Sequence, residues 1–377
     1  MVRTPKPLGL ALLGALALTA CGQSDDQAPP TVSITSPAAQ SPVNGTLPVQ
    51  VTAADNVTVT KVNVYARTPG STATGVLVGS ATTAPYVISW YTPGVPNQAD
   101  VELYATATDD SGNVGTSDPV KVRTNNPGLP LLTYLAGFNL PGDPSVTTQA
   151  LGHAVPVRDL DPAAVRPPAG VQPQSVLKPQ ALLVGPNRYL AVEWAWPTYT
   201  GADGYGIYLG KELVGPYTRQ RNQAAASAGT QKYSQALTAE QAGGKLFGVV
   251  TAITQNRTVE GGFSNAQQAA FIRDQESANP GDGQTVTGGR PTLTWVKNPD
   301  AIGYLYFVYD GDPLDDASQI VWTNAPRSTD ALSAPYPSDL PALKAGTYSW
   351  WVAAVGFDAN NQANAFSYSP VKKFVVP

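Results

Sequence analysis

The stretch Val101-Glu102-Leu103-Tyr104-Ala105 puts an apolar residue on every second position. Side chains of an extended strand alternate between two faces, so this spacing buries Val101, Leu103 and Ala105 together on one of them. The same rhythm runs upstream through Thr31-Val32-Ser33-Ile34-Thr35, Leu47-Pro48-Val49-Gln50-Val51 and Lys61-Val62-Asn63-Val64-Tyr65, with turn residues between the segments. About seven such segments fit between residues 31 and 124, which is the strand number and spacing of a two-sheet sandwich.

The composition carries this reading along the whole chain of 377 residues. Hydrophobic residues make up 42%, enough for cores, while only 13% are charged, and Gly and Pro stand at 35 each. That is the profile of many short strands joined by punctuated turns, and the length allows two to four domains. The fold class is therefore all-β. The formal charge is −4, with no block of Lys or Arg, which argues against nucleic acid as a partner.

Two further blocks repeat the pattern. Tyr189-Leu190-Ala191-Val192-Glu193-Trp194-Ala195-Trp196 places Leu190, Val192 and Trp194 on one face, and Tyr205 to Leu209, Phe247 to Ala252 and Gly262-Phe263-Ser264-Asn265 follow. Around Phe247 both phases are apolar, so inward and outward residues stay unassigned there. The Ala/Gln-rich stretch from Tyr217 to Lys245 departs from the pattern, and its middle is read as a short helix or an irregular loop. The last block has Pro291 to Trp295, Gly303 to Tyr309, Gly346 to Ala354, Phe366 to Ser369 and Lys373 to Val376. Between the first and second blocks, residues 125–178 hold nine prolines and no sustained periodicity, which reads as an extended linker able to dock locally on a neighbour.

The segments PPTVSITSP, ADNVTVTKVNVY, TTAPYVISW, YATATDDSGNVGTS and VKV resemble, in sequence and order, the bacterial Ig-like domains common in cell-surface proteins. Residues 179–273 and 280–377 resemble fibronectin type III domains, with an inward Trp (Trp194, Trp295) followed by a Tyr that opens the next strand (Tyr205, Tyr304). These resemblances imply three tandem Ig-like/fibronectin type III-like β-sandwiches joined by a Pro-rich linker.

The N-terminus has its own logic. Arg3 and Lys6 precede an apolar run from Leu8 to Leu18, too short to span a bilayer, and Leu18-Thr19-Ala20-Cys21 ends it. This resembles the lipobox of bacterial lipoproteins. The resemblance implies that residues 1–20 are removed and that Cys21 carries lipid, two or more acyl chains being needed for stable anchoring. Residues 21–30 then form a flexible tether. Cleavage removes Arg3 and Lys6 and no acidic residue, which takes the formal charge to about −6. The expected location is the cell envelope, outside the cytoplasm, with the membrane as a partner through Cys21.

Catalytic chemistry finds few residues to work with. The single histidine, His153, lies in the proline-rich linker, where nothing fixes its imidazole for a relay. Cys21 is the only cysteine, so nucleophilic sulfur, disulfides and a zinc site are all unsupplied. The chain reads as no enzyme, with no resident cofactor.

Calcium is the one metal the loops could suit. Asp55 and Asn56 fall in one turn of the first domain, and Asp109, Asp110 and Asn113 in another, both at the same end of an Ig-type sandwich. Asx turns account for the same residues without an ion, and both readings stand. In the third domain Tyr304, Tyr306, Val308, Tyr348, Trp350 and Val352 take the inward phase, which turns Leu305, Phe307, Tyr309 and Trp351 outward. An apolar outer face of this kind marks an interface. Its occupant is the second domain, the linker, an envelope protein or a glycan. The functional expectation is non-catalytic binding, adhesion or scaffolding at the envelope; the alternative is a carbohydrate-binding or accessory subunit of a secreted hydrolase.

Overall fold

The computed structural model describes residues 26–142, 188–226, 229–313, 318–324, 330–358 and 362–377; residues 1–25, with Cys21, and His153 lie outside them. Among the described residues no helix is long and apolar enough to cross a membrane.

The first sandwich is built from nine strands: β1 (Thr31–Ser36), β2 (Pro42–Val43), β3 (Thr46–Ala54), β4 (Val59–Arg67), β5 (Val76–Ala81), β6 (Tyr86–Tyr91), β7 (Asp100–Asp109), β8 (Val114–Thr116) and β9 (Val120–Thr124). One sheet runs β1-β3-β6, the other β2-β9-β7-β4-β5 with β8 beside β7. The alternation holds residue by residue: Val101, Leu103 and Ala105 on β7 are fully buried against Val49, Ile88 and Trp90 of the facing sheet. On the outer face, Tyr104 stacks on Tyr65 at 5.2 Å under the Arg67 guanidinium.

The second sandwich begins earlier than the proline count suggests. β10 (Tyr134–Pro141) pairs antiparallel with β11 (Arg188–Pro197), from Tyr134 opposite Ala195 to Pro141 opposite Arg188. Residues 134–141, placed in the linker by their prolines, are thus a sandwich strand. Leu135 and, just before the strand, Leu132 enter the core beside Trp194 and Trp196. Pro141 sits at the strand's last position, where a missing N–H does least damage.

β12 (Gly204–Gly210), β13 (Tyr217–Ala224), β14 (Thr230–Leu237), the single-turn helix α1 (Ala239–Ala242), β15 (Leu246–Thr254), β16 (Val259–Glu260) and β17 (Gln267–Ala269) complete it. β14 joins β11, while β13-β12-β15-β16 forms the facing sheet with β17 against β15. The Ala/Gln-rich stretch is therefore mostly two strands, not an irregular loop. β13 and β14 close their sheets at the edges, where polar side chains face water and the periodic apolar signal is weak. Among its described residues only α1 is helical, and a capping box between Thr238 and Gln241 starts it. On β15, Leu246, Val250 and Ala252 point inward. Gly248 lies under Trp194, where a Cβ would come within 2.5 Å of the indole nitrogen.

The third sandwich contains β18 (Ser277–Asn279), β19 (Gln284–Thr285), β20 (Thr292–Trp295), β21 (Gly303–Tyr309), β22 (Ile320–Asn324), β23 (Ser333–Pro335), β24 (Gly346–Phe357), β25 (Ala363–Tyr368) and β26 (Lys372–Val376). One sheet is β18-β20-β23, and the other contains β22-β21-β24-β25 with β26 and β19. Its core holds the expected inward set: Tyr304, Tyr306, Val308, Tyr348, Trp350 and Val352.

The second and third sandwiches share a sheet. β10 pairs in parallel with β25, Gly137 opposite Ala365, Phe138 opposite Phe366 and Asn139 opposite Ser367. The path β14-β11-β10-β25-β24-β21-β22 is therefore continuous across both domains. The chain crosses this seam on one face. Ala270 N–H donates to Asn364 at 3.2 Å, and the Asn139 amide donates to Ile272 O at 3.1 Å and Asp274 Oδ1 at 2.8 Å. Arg188 pins the seam. Its Nε donates to Asn139 Oδ1 at 2.8 Å, its Nη2 to Tyr368 O at 2.6 Å, and it lies 3.1 Å from Asp274. Burial lowers its pKa against the opposing pull of Asp274 and Glu276.

The first and second sandwiches meet more narrowly. Phe263 N–H donates to Pro93 O at 2.9 Å and Asn97 N–H to Ser264 O at 3.0 Å, while Val214 enters the first domain's core. Gly262 fits against Pro93 only because it has no Cβ; one would sit 2.3 Å from the proline ring.

Candidate functional site

Two places gather chemistry. The first is at the N-terminal end of the first sandwich, where the loop after β3 and the loop after β7 emerge together. Asp55 and Asp109 meet there, joined by Asp26, with one carboxylate oxygen of each within 4.8 Å of the others. Asp26 was hidden in the polar tether. The tether is not free along residues 26–30. Pro30 O lies where a Cβ on Gly115 would be only 1.8 Å away, so the glycine lets the incoming chain lie flat on β8. The Asn113 amide then donates to Asp26 O at 2.8 Å.

Each carboxylate also serves its own backbone. Asp55 accepts from Val57 N–H at 2.9 Å, Asp26 from Ala28 N–H at 3.0 Å, and Asp109 from both the backbone and side-chain nitrogens of Asn113 at 2.8 Å. Burial pushes the Asp109 carboxyl up. Hydrogen bonds from the Asn113 side chain and from the backbone N–H groups of Asn113, Gly112 and Ser111 outweigh it and hold the pKa below the ordinary value. The other two residues named for calcium stand apart: Asn56 and Asp110 are exposed, outside the carboxylate group. Asn113 presents its amide nitrogen to Asp109 and so acts as a donor.

The donor set is all oxygen and suits a hard cation, with Asp26 Oδ2 buried and unpartnered as the oxygen that the turns leave over. A calcium titration tests it. If an ion completes the group, millimolar calcium raises the first domain's melting temperature and Asp26→Asn abolishes the rise; an unchanged melting temperature assigns the group to Asx turns alone. The acidic loop of the third domain is engaged differently. Asp310 accepts from Gln319 N–H at 2.7 Å, and Asp312 pairs with Lys373 at 3.2 Å.

The second place is the aromatic face. Leu305, Phe307, Tyr309 and Trp351 do point away from the third domain's core, but they are not exposed. Their relative exposures are 2, 2, 5 and 2%. None of the four is therefore free for a partner in this structure. Because β10 and β11 extend the same sheet, the face continues into Phe366 and Tyr368 and then into Tyr134, Ala136, Phe138 and Leu140, forming one cluster. Rings touch from strand to strand. Phe307 lies 4.4 Å from Trp351, Trp351 4.9 Å from Tyr368, and Phe138 5.3 Å from Phe366. Nothing in the local pattern of β21 or β24 signals this continuation, because the strand that provides it lies among the prolines after residue 125.

Comparison with known proteins gives a family match within the first sandwich. Residues 30–100 match the model of the bacterial Ig domain. No curated protein matches the sequence. Among solved structures, the fibronectin(III)-like modules of Clostridium thermocellum CbhA align at 25% identity over 25% of this chain and 96% of theirs, with a TM-score of 0.21. The FN1-FN3 domains of chicken CNTN1 align at 14% identity over 92% of this chain and 98% of theirs, TM-score 0.27. A tetra-tandem repeat from the extending region of a large adhesion protein aligns at 13% identity over 93% and 74%, TM-score 0.19.

Proposed function

We propose that this chain is a lipid-anchored, non-catalytic module of the bacterial cell envelope, which holds tandem β-sandwiches at a fixed arrangement for binding or scaffolding an envelope partner. The observation that carries the reading is the construction of the domain junctions. The second and third sandwiches share a hydrogen-bonded sheet, and the first is bonded through backbone groups to the second. Junctions of this kind resist hinge motion. They suit a spacer or scaffold better than a cleft that closes on a substrate.

The match of residues 30–100 to the bacterial Ig domain supports an envelope setting, and the lipobox-like run ending at Cys21 supplies the anchor. A carbohydrate-binding role through the third domain is less well supported, since Phe307 and Trp351 are not available as a stacking platform. Fractionation tests the anchor. The full chain is expected in the membrane fraction, released only by detergent, and Cys21→Ala in the soluble fraction with its sandwiches folded. A Cys21→Ala chain that stays with the membrane would contradict it.

A further inference from the structure

Strands joined by short turns pair antiparallel, whereas a parallel pair needs two strands brought together from far along the chain. Among the described strand pairs three are parallel, and each sets an early strand beside a late one. β2 lies beside β9 in the first sandwich, and β19 beside β26 in the third. The second sandwich has no parallel pair within itself among its described strands. Its first strand, β10, takes its parallel partner from the third sandwich, as β25.

Direction then matters. β24 pairs with β25 through residues 353–357 and with β26 through 346–350, while β21 holds its other edge through 349–355. β25 and β26 therefore follow one another along a single edge of β24, both running the same way as β10. Tension applied ahead of Tyr134 draws β10 backward along its axis, and tension applied beyond Val376 draws β25 and β26 forward. The neighbours are pulled past each other. This strains the pairs Gly137–Ala365, Phe138–Phe366 and Asn139–Ser367 together rather than one after another. The force path runs through β10, β25 and β26, and strands β11 to β24 lie off it.

The seam is fastened at both ends. At one end the Arg188 guanidinium bridges the strands. It donates to Asn139 Oδ1 at 2.8 Å and Asn139 O at 3.3 Å on β10, and to Ser367 Oγ at 3.2 Å and Tyr368 O at 2.6 Å on β25. At the other end Gln362 Nε2 donates to Thr133 O at 3.1 Å. Asn139 and Ser367 are fully buried, and the Arg188 side chain is 7% exposed. A hydrogen bond under strain yields readily where water replaces the lost partner, and buried bonds have no such replacement.

We infer that the β10–β25 seam, riveted by Arg188, is a tension clasp that passes force along the strand axis and shields the strands between. It rests on the anchored scaffold proposed above, in which tension arises whenever the bound partner is drawn away from the membrane. The test is single-molecule pulling of the full chain. Cys21→Ala removes the only cysteine, and Leu131→Cys and Pro377→Cys, both at exposed positions, supply the handles. With the clasp holding, the second and third sandwiches give way in one event that releases residues 134–376, roughly 80 nm of chain at ~3.5 Å per residue. Two separate events, of about 45 and 35 nm, would overturn the inference. Arg188→Lys keeps the charge and loses the fork that spans both strands, so the event should split in two and the rupture force fall at least twofold. An Arg188→Lys chain with the unaltered force record would also overturn it. The unaltered seam is measured first, so the outcome does not depend on how that variant folds. Because the force is applied directly, a Cys21→Ala chain retained on the membrane would sink the anchored role and leave the clasp standing.

Discussion

Trp351→Ser is expected to destabilise the third sandwich by about 3–5 kcal/mol, the range for deleting a buried Trp. On a domain of about 100 residues that lowers the melting temperature by roughly 15–25 °C. The indole lies on the outer side of the sheet, where a substitution would ordinarily cost within about 0.5 kcal/mol. Here it is 2% exposed and packs on Phe307 and Tyr368. Removing it opens a cavity in a close-packed face and forfeits contacts on both neighbouring strands. Calorimetry of the full chain measures the effect. A change under 1 kcal/mol would mean that the face is open to solvent, and the composite core described above would be wrong.

Gly137→Val acts on the seam from the opposite face. A Cβ at Gly137 would stand 2.1 Å from Ala270 O and 3.0 Å from the Phe271 ring, so even the first added carbon has no room. The obstacle is backbone, which cannot rotate away as a side chain can. Overpacking of this kind costs typically 1–3 kcal/mol and more where backbone must shift. The chain can relieve it by separating residues 270–275 from the seam, at the expense of the bonds from Asn139 to Ile272 and Asp274. The expected result is a loss of cooperativity, in which a single calorimetric transition of the second and third sandwiches splits into two. A variant that unfolds with the wild-type profile would show that the seam does not couple the domains.

Much of this architecture was legible because sandwiches advertise themselves in period two. Val101, Leu103 and Ala105 entered the first core as their spacing requires, and Trp194, Trp295, Tyr304 and Trp350 entered the others. What alternation reports is which way a side chain points, not what waits on that side. Phe307 and Trp351 turn away from the third domain's core as their phase requires, yet the aromatic face they belong to continues across an edge pairing between strands more than two hundred residues apart. β10 was obscured for a related reason. Tyr134–Pro141 is buried along almost its whole length, on both faces, so its pattern is a short apolar run without alternation among prolines. Asp26 was missed because a polar tether has no periodicity, and only the missing Cβ of Gly115 reveals where the chain lies. The polar edge strands β13 and β14 show the converse, since strands that bury little leave little to read.

The central claim is that the second and third sandwiches are joined by one hydrogen-bonded sheet, and hydrogen exchange tests it most directly. Gly137, Phe138 and Asn139 lie opposite Ala365, Phe366 and Ser367 in that seam. Peptides covering both stretches should exchange as slowly as those of the central strands β11 and β24, and should open together. Exchange of residues 137–139 and 365–367 at the rate of exposed loops, while β11 and β24 stay protected, would contradict the shared sheet.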